Sequence, residues 1–115
     1  MKYLCLLYTG EGGIEAIPPD IRAQLREESR AHRKKLDSEP AFITASALQP
    51  VDEAKTVRIR GGRKQVTDGP FAETKEVLVG FIFLEAASMD EALRIAAEVP
   101  LARYGSVEVR PERIL

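Results

Sequence analysis

Two segments of this chain are apolar on both faces, and that property limits what it can fold into. In residues 2–9 (KYLCLLYT), Leu4, Leu6 and Tyr8 alternate with Tyr3, Cys5 and Leu7. In residues 77–85 (VLVGFIFLE), Val79, Phe81 and Phe83 oppose Leu78, Ile82 and Leu84. Side chains along a strand point alternately to opposite faces, so a sheet holding both segments is oily on both sides. An antiparallel sheet with one wet face normally reads as apolar alternating with polar. Each large side chain left in water forfeits about 1.5–3 kcal/mol relative to burial. Both faces of this sheet therefore need a cover.

The rest of the chain supplies one cover. Pro18-Pro19-Asp20 opens a helix, with proline in the first turn and an acid at the positive end of the dipole, and the helix stops before Pro40. Ile21, Leu25, His32 and Leu36 fall on one face of it, with Ser29 between them, and Arg22, Arg26, Glu27, Arg30, Arg33 and Lys34 lie mostly elsewhere. Residues 41–48 read as a strand, and 56–60 with 63–67 as a hairpin around Gly61-Gly62, with Val57, Ile59 and Val66 on one face. Ser88-Met89-Asp90-Glu91 is a capping box that starts a second helix, ending at Val99-Pro100, and 106–110 alternates as a last strand. The order β-α-β-hairpin-β-α-β is an α+β, ferredoxin-like plan with an extended hairpin, in one domain spanning 1–115. Two helices cover one face of a four-stranded sheet. The second face falls either to the chain's own loops or, more simply, to a second copy, which makes a homodimer.

Composition narrows the function classes. With 17 basic and 18 acidic residues the net charge is −1, which gives no overall electrostatic footprint for nucleic acid. Cys5 is the only cysteine, which excludes an internal disulfide and suits a reducing, cytoplasmic setting. No apolar run approaches the roughly 20 residues of a membrane span, and no cleavable signal follows Met1. One histidine and one cysteine far apart in sequence offer no metal-ligand spacing, and no phosphate-cradling glycine motif occurs, so neither metal nor cofactor is expected.

Between the hairpin and the most apolar strand runs Asp68-Gly69-Pro70-Phe71-Ala72-Glu73-Thr74-Lys75-Glu76, far longer than a plain turn requires. Glycine and proline there shape the backbone, and Phe71 is placed to anchor the loop in apolar surface. This stretch closely resembles the signature of the DGPF-domain proteins, a branch of the YCII-related superfamily. Leu101 through Pro111 (LARYGSVEVRP) matches the same family's C-terminal run, and His32-x-x-x-Leu36 with Phe42-Ile43-Thr44-Ala45 is similar to the helix-strand segment of YCII-type chains. The resemblance implies a dimeric α+β barrel, a pocket, and a His-Asp pair proposed for acid-base chemistry. It also implies a regulatory context, since DGPF-type proteins are often encoded beside extracytoplasmic-function sigma factors. YCII-type chains commonly carry an acid before the proline that ends the second helix, and here that place is Val99.

The candidate site residues follow. His32, the only histidine, is the easiest proton carrier near neutral pH. Its alternative is a partly buried histidine bonded to a neighbour. Asp68 is its candidate acid, and equally an Asx-type turn residue. Glu73 and Lys75 are either pocket rim or plain solvated charge. Arg103 suits a carboxylate or phosphate and Tyr104 can orient a carbonyl, with pairing of Arg103 to Glu73 or Asp68 as the structural alternative. Arg58, Arg60, Arg63 and Lys64 make the hairpin tip basic. Two functions result. One is binding of a small polar, anionic organic molecule in a cleft roofed by residues 68–76, with His32 in acid-base, lyase-like chemistry. The other is a non-enzymatic accessory module for a sigma factor.

Overall fold

The computed structural model describes residues 1–115. Its strands are β1 (Lys2–Thr9), β2 (Phe42–Ala47), β3 (Lys55–Arg60), β4 (Arg63–Asp68), β5 (Val77–Glu85) and β6 (Ser106–Pro111). Its helices are α1 (Pro19–Asp37) and α2 (Met89–Ala96), with short 3-10 turns at Ile14–Ala16, Val51–Glu53 and Pro100–Arg103. Pro19 stands in the first turn of α1 as expected. The Ser88 hydroxyl accepts the Glu91 amide at 3.2 Å, and the Glu91 carboxylate accepts the Ala87 amide at 2.7 Å. The capping box therefore closes one residue further back than its standard form.

Four strands pair antiparallel in the order β2-β5-β1-β6, the ferredoxin-like arrangement, while β3 and β4 pair only with each other. One face of the sheet is covered. Tyr3, Cys5, Ile82 and Leu84 lie beneath Leu25 and Leu36 of α1 and Ala92 and Ala96 of α2. Cys5 and Ala92 are fully buried, so Cys5 is a small core residue and the alanines let α2 sit close to the sheet.

On the other face Leu4 opposes Phe83, Leu6 opposes Phe81 and Tyr8 opposes Leu78. A register shift beside Leu7 and Tyr8 corrects the simple alternation of residues 77–85. It puts Leu78 with the two phenylalanines and leaves Val79 in the helix-covered core. The flanking strands bring polar residues to this face, with Thr44 and Ser46 opposite Phe83 and Phe81, and Glu108 and Arg110 opposite Leu6 and Leu4. None of the six apolar side chains is fully buried. The chain's own loops do not close over them.

The hairpin reaches away from the body. Val57 and Val66 face each other as expected, yet Val57 is 62% and Ile59 60% exposed. The molecule measures 45 × 42 × 20 Å with a radius of gyration of 15.9 Å, against about 13 Å for a compact chain of this length. No helix is long and apolar enough to cross a membrane.

Candidate functional site

A cleft of about 360 Å³ opens between α1, the neighbouring stretches of β2 and β5, and the turn Pro100–Arg103. Leu25 and Leu36 from α1, Ala45 from β2, Val79 and Ile82 from β5, and Leu101 give it an apolar floor. Its polar groups come mostly from one helix: Arg22, Arg26, Ser29, His32 and Arg33. Positions 22, 26, 29 and 33 form a row along α1, beside the row of buried Leu25, half-buried His32 and buried Leu36.

Two of the three arginines are already engaged. Arg22 donates to the Glu15 carbonyl at 3.3 Å. Arg33 donates to Asp37 and to the Ala45 carbonyl, each at 3.1 Å, and its guanidinium lies 5.0 Å from the centre of the Phe42 ring. Arg26 makes no hydrogen bond or ion pair with the protein. It is the free cation at the cleft.

His32 forms the wall between this cleft and a smaller recess of about 120 Å³ between α1 and α2, which Lys35, Arg94 and Glu98 also line. Its Nε2 is buried and has no hydrogen-bond partner. An imidazole nitrogen in that state loses its hydration without replacement. Burial pushes the His32 pKa down, Glu98 partly restores it, and Lys35 lowers it further. The ring is therefore held toward its neutral form, in which Nε2 can carry either a hydrogen or a lone pair. Glu98 lies at the surface beside the recess, and its carboxyl is lowered chiefly by the hydrogen bond from Lys35 at 3.0 Å.

The other candidates lie elsewhere. No residue between 48 and 78 lines the cleft, so the loop 68–76 does not roof it within one chain, and Asp68, Glu73 and Lys75 are not brought to His32. Asp68 pairs with Lys55 across the β3–β4 ladder at 2.5 Å. Gly69 has φ +89°, a conformation that favours glycine, and its amide and carbonyl bond Ala54 at 2.7 Å and the Thr56 hydroxyl at 2.9 Å. Arg58 donates to the Phe71 carbonyl at 3.1 Å. These bonds tie the loop to the projecting hairpin, so Phe71 is 74% exposed and does not anchor the loop in its own chain. Arg103 pairs with Glu28 of α1, not with Glu73 or Asp68, and packs against the Tyr104 ring 5.6 Å away. Neither Arg103 nor Tyr104 lines the cleft.

Arg26 was not singled out from the sequence. Its signal was present, since the row Arg22-Arg26-Ser29-Arg33 borders the apolar stripe at helical spacing, but arginines on a long helix ordinarily read as solvated surface.

The sequence model of the YCII-related domain matches residues 1–113. A protein of Rhizobium meliloti (strain 1021), described as uncharacterized, is 36% identical over 113 residues, which cover 96% of this chain and 91% of the relative. With a match across almost its whole length, the chain belongs to the YCII-related domain family.

Proposed function

We propose that this protein binds a small organic anion with an apolar body, seated in the cleft under α1. The observation that carries this reading is the juxtaposition of an unengaged guanidinium, Arg26, and a buried, unpartnered His32 Nε2 around an apolar floor. A carboxylate entering the cleft meets a charge-assisted donor in Arg26, and the buried His32 Nε2–H tautomer supplies a second, neutral donor once the ring turns toward it. Its apolar remainder covers Leu25, Val79 and Leu101. The floor asks for a more apolar ligand than the polar molecule expected from the sequence. A neutral imidazole at that place is also fit to move a proton to or from the bound molecule, which supports the acid-base reading.

Calorimetric titration with phenylacetate and with its uncharged amide tests this. Phenylacetate binds more tightly than phenylacetamide, and Arg26→Gln removes most of that difference. Equal affinity for the two, or an unchanged preference in the variant, refutes the assignment.

We further propose that two copies stack their uncovered sheet faces. Leu4, Leu6, Tyr8, Leu78, Phe81 and Phe83 support this, because they form an apolar strip with polar edges that nothing in one chain covers. Interfaces commonly have that pattern of apolar centre and polar rim. Sedimentation at micromolar concentration should give twice the mass of one chain. A stable single chain there removes the reading.

A further inference from the structure

We infer that the β3–β4 hairpin is an intermolecular arm, which leaves its own body and grips the body of a second copy. The inference rests on the stacked-sheet homodimer and adds a contact that stacking alone does not require.

The first observation is mechanical. An isolated two-stranded hairpin is marginal in water, yet this one stands apart, pairing only with itself. Every β4 side chain is exposed, and β3 buries none of its own. Val57, Ile59 and Val66 together present an apolar stripe to solvent. Phe71, tied to the arm through its carbonyl, is open as well. An arm of this kind is ordered by what it lies against.

The second observation selects the occupant. The hairpin, residues 55–68, contains five of the chain's 17 basic residues, Lys55, Arg58, Arg60, Arg63 and Lys64, and one of its 18 acidic ones, Asp68, which pairs with Lys55. The remaining body therefore holds twelve basic residues against seventeen acidic. Arm and body have opposite charge within one sequence. The arm is held away from its own body, so the acidic surface complementary to it is that of another copy. An apolar stripe flanked by basic side chains then meets a surface of the opposite sign, in a contact that a two-fold axis makes twice.

The test is self-association of the wild-type chain beside the double variant Val57→Ser, Ile59→Ser. Both positions are exposed in the single chain, so the body fold is retained, and circular dichroism checks it. Losing two apolar contacts should weaken the dimer by about tenfold or more. Raising ionic strength from about 0.1 M to about 1 M shortens the screening length from ~10 Å to ~3 Å and should weaken the wild-type dimer as well. A photo-crosslinker at position 59, in a mixture of light and heavy chains, should join light to heavy. A monomeric wild type overturns the stacked-sheet reading and the arm with it. A wild-type dimer whose affinity is unchanged by the double substitution, with crosslinks only within chains, overturns the arm alone. So does an arm that engages a sigma factor while the double substitution leaves self-association untouched.

Discussion

Lys35 of α1 and Glu98, just past the end of α2, are joined at 3.0 Å, with Lys35 about one helical turn from His32. The carboxylate that raises the His32 pKa is thus already engaged by a lysine, and the imidazole is left with its burial and an empty Nε2. Glu98→Gln removes the raising influence and leaves Lys35 unneutralised. Both changes favour neutral His32, so its titration midpoint should fall further. His32 is the only histidine, so its ring signals are unambiguous in an NMR titration. An unchanged or higher midpoint contradicts the arrangement.

The same lowering links His32 to stability. Its folded pKa lies below the unfolded value of about 6.5, so the unfolded chain takes up the proton first as pH falls. The favourable contribution of neutral His32 is complete above about pH 6.5 and is lost progressively through the window between the two pKa values. Urea denaturation should show stability falling as pH is lowered through that range. His32→Gln should flatten the decline there and leave the deeper loss from carboxylate protonation.

Gly105 immediately precedes β6 and lies directly against β1. A Cβ added there falls on the Tyr8 carbonyl oxygen, well inside van der Waals contact, and 3.3 Å from the Thr9 Cα. The obstruction is backbone, which cannot swing aside as a side chain does. Gly105→Ala should therefore destabilise the chain by roughly 3 kcal/mol, read as a lower urea midpoint. An effect under about 0.5 kcal/mol, the usual size for open surface, contradicts the close approach.

Ser88→Ala removes the only side-chain acceptor for the Glu91 amide and should cost about 1 kcal/mol. Glu91→Gln keeps an acceptor for Ala87 and should cost less. A Ser88→Ala chain as stable as the wild type would show that the Ser88 bond contributes nothing.

What could be read from the sequence was local or periodic. The capping box, Pro19, the two-residue hairpin turn and the two-faced character of β1 and β5 each depend on a few neighbouring residues. The placement of Val79 was not legible, because a bulge is a property of how two strands pair. The loop 68–76 was expected over the cleft on the strength of its residue types. Its hydrogen bonds to Ala54, Thr56 and Arg58 instead hold it to the arm, a choice set by long-range packing. His32 was legible as the lone histidine on an apolar stripe, whereas Arg26 became distinctive only once Arg22 and Arg33 were seen to be occupied.

Whether His32 Nε2 and Arg26 together receive an organic anion can be read from long-range ¹H–¹⁵N NMR of the His32 ring during a phenylacetate titration. An anion beside the imidazole favours its protonated form. The Nε2 resonance should move and saturate with the ligand, and the His32 midpoint should rise in the complex. Binding that leaves both the Nε2 resonance and the midpoint where they stood, or no binding at all, would rule out a shared anion site at these two residues.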